Sequence, residues 1–184
     1  MHSDDELYSG FLSGDQDAYD QLMIRYGDSL TFYINGYTHD LQDAEDLMIE
    51  AFARIMVRKP RIKAGAFKSY LYKTARNLTT RFHEKRQHSR TFGYEGLDEG
   101  IADTLLTEDI LADKERKEVL YMCLERIDPE LKEALWLVYL DGLTYEQAAS
   151  VMHVSTKRID HLLSRGKEHM RRELRKEGIS NAYE

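Results

Sequence analysis

Only two prolines, Pro60 and Pro129, punctuate this chain of 184 residues. Proline is the residue a helix interior tolerates least, because it lacks the amide donor and its ring strikes the preceding turn. A chain so nearly free of it can run long helices, and its apolar residues recur at the spacing that helices require. Tyr19, Leu22, Met23, Tyr26, Leu30, Tyr33, Ile34 and Tyr37 follow the i, i+3, i+4, i+7 rule. They predict a helix over about 15–37. Leu41, Ala44, Met48, Ala51, Phe52 and Ile55 predict a second over about 41–58. Lys59-Pro60 ends it, since a residue before proline is pushed out of helical conformation. A loop containing Gly65 follows. A third helix spans about 66–86, with Phe67, Leu71, Thr74, Ala75, Leu78 and Phe82 inward. Strand-like alternation is not evident.

Beyond this first block the character of the chain changes. Gly93, Gly96 and Gly100 break residues 89–107, where acids dominate. That composition predicts a flexible acidic linker, longer than a loop inside a compact domain. A helix is expected over about 108–126. Asp128-Pro129 is an acidic N-cap with proline at the first helical position. The helix it starts runs through Leu131, Ala134, Leu135, Val138 and Tyr139, and Gly142 stops it as a left-handed cap. Thr144 and Gln147 form a capping box for a short helix that ends near Met152. Ser155 caps the last, whose stripe is Ile159, Leu162, Leu163, Met170 and Leu174. The expected fold is all-α: two small helical domains, 1–88 and 108–184, joined by the linker 89–107.

The net charge of −7 argues against a nucleic-acid binder until its distribution is read. Residues 1–60 carry 4 basic and 12 acidic side chains, residues 61–90 carry 9 and 1, and residues 91–125 carry 3 and 10. Residues 126–184 balance at 10 and 10, yet 155–176 hold 8 basic against 3 acidic. Two basic helices separated by an acidic segment point to two polyanion contacts on one molecule. The single cysteine, Cys123, allows no intrachain disulfide and sits at helical spacing beside Leu120 and Leu124, as a small core residue would. The acidic start of the chain is unlike a secretory leader. No apolar run approaches the ~18–20 residues that span a bilayer. The expectation is a cytoplasmic protein without membrane insertion.

The two short-linked helices over 144–152 and from 156 onward have helix-turn-helix spacing. Ala148 and Ala149 permit a close crossing. On the second of these helices Lys157, His161 and Ser164 point outward, flanked by Arg158 and Arg165. Side chains near the start of such a helix reach base edges, and cations further along meet phosphates. A generic helical hairpin would show the same stripe.

The run from Ile127-Asp128-Pro129-Glu130-Leu131 through Leu140-Asp141-Gly142-Leu143-Thr144-Tyr145-Glu146-Gln147-Ala148-Ala149, and on to Val154-Ser155, resembles the fourth conserved region of sigma factors. The N-terminal half resembles the second region. Gly14-Asp15-Gln16-Asp17-Ala18-Tyr19 with Leu22 and Tyr26 is similar to its beginning. Asp43-Ala44-Glu45-Asp46-Leu47 with Glu50, Ala51 and Phe52 is similar to the core-binding helix. Phe67, Tyr70-Leu71-Tyr72 and Ala75-Arg76-Asn77-Leu78 are similar to the promoter-melting helix. The resemblance covers nearly the whole chain except the linker and points to the extracytoplasmic-function branch. Three positions depart from it. Asp160 stands where a lysine is common, His153 where glycine is common, and Tyr70 where tryptophan is frequent.

The resemblance implies that Asp43, Asp46 and Glu50, which share a helix face at i, i+3, i+7, dock on core RNA polymerase. Tyr72, Arg76, Thr79 and His83 are expected opposite the apolar stripe of the third helix, with Lys73 and Thr80 beside them. An aromatic among cations is what single-stranded DNA needs. The expected DNA contacts are Tyr72, Lys73, Arg76, Asn77, Thr80 and His83 in one domain, with Lys157, Arg158, His161, Ser164 and Arg165 in the other. The loop 61–66 is implied as the rim around a captured base, and the acidic linker as a mimic of RNA in a positively charged channel. The expected partners are core polymerase, promoter DNA and an anti-sigma protein. No catalysis, cofactor or metal is expected. Two other readings remain open at this point. One is a stand-alone helix-turn-helix regulator that binds palindromic duplex as a dimer. The other is a metal-dependent hydrolase using Asp43, Asp46 and Glu50.

Overall fold

The computed structural model describes residues 2–86 and 114–178, and every regular element in them is helical. In chain order these are α1 (Asp4–Leu12), α2 (Gln16–Thr38), α3 (Leu41–Arg58), α4 (Phe67–Arg86), α5 (Lys114–Glu125), α6 (Pro129–Leu135), a π-helical turn (Trp136–Leu140), α7 (Tyr145–Met152) and α8 (Thr156–Lys176). Helices α1–α4 build one compact unit, with which residues 150–152 at the end of α7 are grouped; α5, α6, α8 and the rest of α7 build the other. The linker 89–107, both its boundaries and the segment 108–113 lie outside the described residues.

The helix starts follow from local chemistry. Asp15, Asp40, Ser155 and Thr144 each accept a hydrogen bond from an amide of the first turn they precede, which satisfies a donor that has no partner inside the helix. Thr144 and Gln147 close a reciprocal capping box. Asp128 caps α6, with Pro129 at its first position. The stops follow as directly. Lys59 turns left-handed at φ 44° and donates its amide to the Ile55 carbonyl, so α3 is already capped where Pro60 forbids its continuation. His153 takes φ 57° in the turn between α7 and α8, a conformation histidine adopts more readily than most residues.

Two elements differ from expectation. Helix α1 lies where apolar periodicity predicts none, because nine residues display too few turns for the pattern to register. Its signal is instead Ser3-x-x-Glu6: the Ser3 hydroxyl accepts from the Glu6 amide, and the Glu6 carboxylate accepts from the Ser3 amide. The helix begun by Pro129 is also not α-helical through Tyr139. It widens at Trp136, where Asp141 donates its amide to the Trp136 carbonyl at 3.0 Å, five residues back. Gly142 then turns left-handed at φ 67°. The wide turn leaves Tyr139 and Leu140 exposed while Trp136 and Leu137 stay buried.

The core of the first unit is aromatic. Phe11 lies 4.4 Å from Tyr19, centroid to centroid, and the buried Tyr19 hydroxyl donates to the Phe52 carbonyl at 2.5 Å. Gly10 lets α1 approach α2, since a Cβ there would meet the Ala18 Cβ at 3.3 Å. In the second unit α6 and α8 meet at Gly166, where an added Cβ would lie 3.0 Å from both Leu135 Cγ and Cδ1. Cys123 is buried in the core of this unit, and burial pushes its thiol pKa up.

Gly166→Val is therefore expected to overpack the α6–α8 contact and cost about 1–3 kcal/mol. Urea unfolding followed by circular dichroism measures it. The cost should shrink when Leu135→Ala is present in the same chain; equal costs in both backgrounds would show that the contact is not the cause.

Candidate nucleic-acid interfaces

Helix α4 packs against both α2 and α3, so its buried arc is wider than one stripe. Phe67, Leu71, Ala75 and Leu78 are buried as predicted, but so are Tyr72, Thr79 and His83, which lie one position further round. This corrects the expected exposure of those three. Tyr72 is 0 % exposed. Its ring lies 5.1 Å from that of Tyr33, and its hydroxyl donates to Ser29 Oγ at 3.1 Å. Thr79 donates to the Arg76 carbonyl at 2.8 Å. The outward face of α4 carries half-buried Lys73, Arg76, Asn77 and Thr80, with Tyr70 and Arg81 exposed.

Next to this face, α3 and α4 enclose a cleft of about 140 Å³ lined by Arg54, Ile55, Arg58, Tyr70, Thr74, Asn77 and Arg81. Of these only Asn77 was a predicted site residue. The signal for the rest is their spacing. Arg54 and Arg58 stand at i, i+4 on α3, and Tyr70, Thr74, Asn77 and Arg81 at i, i+4, i+7, i+11 on α4. What periodicity alone does not show is that the two rows face one cleft.

The sequence placed Asp43, Asp46 and Glu50 on one face of α3. Asp46 and Glu50 are exposed and Asp43 half-buried. Apolar side chains interleave with them: Ile49 is 53 % and Val57 79 % exposed. Glu50 binds the Arg54 guanidinium at 3.0 Å to Nε and 2.6 Å to Nη2. The face is thus mixed acidic and apolar, the composition of a protein-docking surface more than of a metal cage. Among the described residues no three His, Cys, Asp or Glu side chains converge as a metal site would require.

The loop between α3 and α4 is fastened by α1. The Asp5 carboxylate accepts the Gly65 amide at 2.9 and 3.0 Å, and the Tyr8 hydroxyl donates to the Pro60 carbonyl at 2.7 Å. Asp4 in turn holds α2: it pairs with Arg25 at 2.5 Å and accepts from the Tyr26 hydroxyl. Burial is the main cause that raises the Tyr26 pKa, and the Asp4 bond adds to it.

On α8, Lys157, His161, Ser164 and Arg165 are all exposed, with Asp160 between them. Arg158 is exposed but engaged. It grips Glu130 with Nη2 at 2.5 Å and Nε at 3.3 Å, and this bond raises its pKa. Arg158 ties the start of α8 to the start of α6.

Two family models match the chain: Sigma-70 region 2 over residues 22–89 and Sigma-70 region 4 over residues 117–170. Among curated relatives, the ECF RNA polymerase sigma factor SigW of Bacillus subtilis is 26 % identical over 88 % of this chain and 91 % of its own length. The ECF RNA polymerase sigma-E factor of Escherichia coli is 23 % identical over 90 % of this chain and 91 % of its own length. This chain belongs to the extracytoplasmic-function sigma factors. Its activity is that of an RNA polymerase sigma factor, and it is not an enzyme.

Solved structures share the fold of this sigma factor. CnrH, in complex with the cytosolic domain of CnrY, aligns with a TM-score of 0.61 at 17 % identity, covering 91 % of this chain and 94 % of that one. The sigma factor RpoE of Bartonella quintana, in complex with the anti-sigma factor NepR, aligns with a TM-score of 0.59 at 18 % identity, covering 85 % and 96 %. The region 2 match takes in most of α2 and all of α3 and α4, and the region 4 match reaches from α5 into α8. Helix α1, which fastens the α3–α4 loop, precedes both. Among the described residues no helix of this sigma factor is long and apolar enough to cross a membrane.

The burial of Tyr72 separates packing from DNA stacking. Tyr72→Phe keeps the ring and loses one hydrogen bond, an expected cost of about 0.5–1.5 kcal/mol. Tyr72→Ala empties the ring's site and should cost about 3–5 kcal/mol. Urea titration of both variants checks this; a Tyr72→Ala protein as stable as wild type would mean that the ring is not in the core.

Proposed function

We propose that this sigma factor binds core RNA polymerase through the mixed face of α3, with Asp43, Asp46 and Glu50 supplying charge and Ile49 and Val57 apolar contact. Its two cationic helix faces then read separate promoter elements. The face of α4, with Lys73, Arg76, Asn77 and Thr80, takes the downstream element and its opened strand. The face of α8, with Lys157, His161, Ser164 and Arg165, takes the upstream element in the major groove. The observation that supports this reading is that α8 exposes Lys157, His161, Ser164 and Arg165 while α4 keeps Lys73, Arg76, Asn77 and Thr80 half-buried at its surface, each helix beginning at a capped or loop-fastened end.

DNA opening needs no nucleotide hydrolysis in this scheme. A captured base offsets an unstacking cost of a few kcal/mol, and stacking on an aromatic returns roughly 1–3 kcal/mol per base. The aromatic in question is Tyr70, the exposed ring on α4, and not Tyr72 or His83. The domains divide the labour: 1–88 binds polymerase and melts DNA, 108–184 reads the upstream element, and 89–107 joins them. Arg158 contributes by holding α8 against Glu130. An anti-sigma protein is a fitting partner, since the similar RpoE was solved with one. On this reading the chain works in the cytoplasm, beside the polymerase it serves.

Purified chain with core polymerase should transcribe specifically from a subset of genomic fragments that core alone ignores. Specific duplex binding by the chain as a dimer, with no gain in transcription, would overturn the proposal. On a responding promoter, Arg76→Ala should weaken the permanganate-reactive bubble by tenfold or more while duplex binding changes little; an unaltered bubble removes Arg76 from opening. Lys157→Ala should reduce the salt slope of holoenzyme binding by about 1, the value of one phosphate contact. An unchanged slope and affinity exclude DNA contact there.

A further inference from the structure

Helix α8 carries three acids among its cations, and two of them are paired. Glu168 meets Arg172 at 3.6 Å, and Glu173 meets Lys176 at 2.5 Å and Arg126 at 3.6 Å. The third, Asp160, is exposed, and among the described residues no cation stands within ion-pair distance of its carboxylate. It lies on the second turn of α8, three residues after Lys157 and four before Ser164, so the three share the outward face. The rotation of that face is fixed from inside, where Ile159, Leu162 and Leu163 are each at most 1 % exposed. Arg158, two residues before Asp160, is taken up by Glu130. A free carboxylate is an anomaly on a face that meets DNA. It has acceptors and no donor. Phosphate oxygens repel it, so it weakens binding to every sequence unless a base edge supplies a donor. The major groove offers two such donors, the adenine N6 amine and the cytosine N4 amine. Adenine sets its N7 acceptor beside the amine, where it opposes the second carboxylate oxygen. Cytosine presents the donor alone.

We propose that Asp160 sets the sequence preference of the upstream element at one base pair, its carboxylate accepting a hydrogen bond from the N4 amine of a cytosine. The assignment rests on the reading of α8 as the major-groove helix and goes beyond it by naming the residue, the base and the atom. It also gives a use to a departure from the family. A lysine, which is common at this position, adds a cation that suits any sequence. The carboxylate discriminates instead. Guanine and thymine meet it with acceptors, so the wrong base is penalised as well as the right one favoured. Lys157, one turn nearer the helix start, offsets the negative charge toward the phosphates.

The test uses holoenzyme reconstituted from core polymerase and full-length chain, on a promoter fragment selected by transcription in vitro. Each base pair of the upstream element is replaced in turn by the other three, and binding of every fragment is measured by competition. With Asp160→Ala, one G·C pair should lose its influence: replacements that weaken wild-type binding about tenfold there should cost nothing further, while preferences at the other pairs remain. Replacing that cytosine by 2-pyrimidinone, which lacks the amine, should weaken wild-type binding and leave the alanine holoenzyme unaffected. Asp160→Asn, whose amide donates as well as accepts, should move the preference toward adenine. Asp160→Lys should bind every fragment more tightly, with no preference at that pair and a salt slope steeper by about 0.9, the value for one duplex phosphate. Core binding by the three variants should match wild type, since Asp160 is exposed. An alanine holoenzyme that binds all fragments more tightly by one common factor, with the wild-type base profile, overturns the assignment and leaves the groove contact of α8 intact. A preference lost at an A·T pair instead overturns it as well. Loss of core binding in all three variants also overturns it and assigns the carboxylate to a polymerase contact. A wild-type holoenzyme indifferent to every pair of the upstream element sinks the major-groove reading together with it.

Discussion

The rotation of α4 about its own axis is the constraint on which the rest of the first unit depends. Tyr72 sets it. Its ring lies against Tyr33 and its hydroxyl binds Ser29 Oγ, so the helix is held by an apolar and a directional contact at once. At 3.6 residues per turn, a slip of one residue turns the helix by about 100°. That slip would carry Arg76 or Lys73 into the space now held by buried side chains, where an unpaired charge costs several kcal/mol. The cationic face is thus outward because every other rotation is penalised. Burial of a tyrosine, rather than its exposure, is what presents the arginines.

The same logic explains why so short a segment as α1 matters. Asp5 and Tyr8 hold the backbone of the α3–α4 loop at Gly65 and Pro60, and Asp4 ties α1 to α2 through Arg25 and Tyr26. A loop next to a binding face has few apolar contacts of its own and would otherwise pay for its order when ligand binds. Fastening it from α1 moves that cost into folding. In the second unit Arg158 and Glu130 do comparable work. Their pairing spans 28 residues and pins the start of α8 to the start of α6. An exposed pair contributes little stability, so its use is in orientation: it fixes where Lys157 and His161 point.

Features governed by near neighbours were legible in the sequence. Asp128-Pro129, Thr144 with Gln147, and Ser155 mark helix starts within three residues, and Asp15 and Asp40 cap α2 and α3 by the same chemistry. Features governed by distant neighbours were not. One apolar stripe predicts Tyr72 outward because it accounts for packing against one helix, while α4 touches α1, α2 and α3. A π-helical turn at Trp136 replaces the expected α-helix just before the left-handed Gly142, and no local composition announces it. The cleft between Arg58 and Arg81 needs two helices brought side by side. Helix α1 is the one miss whose signal was local, since Ser3-x-x-Glu6 is a capping box in plain view.

Charge is the remaining tension. A chain of net charge −7 must approach a polyanion, and the acids of α3 share a compact unit with the cations of α4. Distance and screening resolve this. The Debye length is about 8 Å at physiological ionic strength, while an α-helix with its side chains is about 10–12 Å across. Glu50 pairs with Arg54 at 2.6 Å and cancels one cleft charge, so on the proposed reading the field that DNA meets at α4 is that of Lys73, Arg76, Arg58 and Arg81. Lowering the salt lengthens the screening distance to about 30 Å at 0.01 M, and the whole unit then presents its mixed charge. On the proposed reading, faces on neighbouring helices let one small body meet a basic protein surface and an acidic nucleic acid at once.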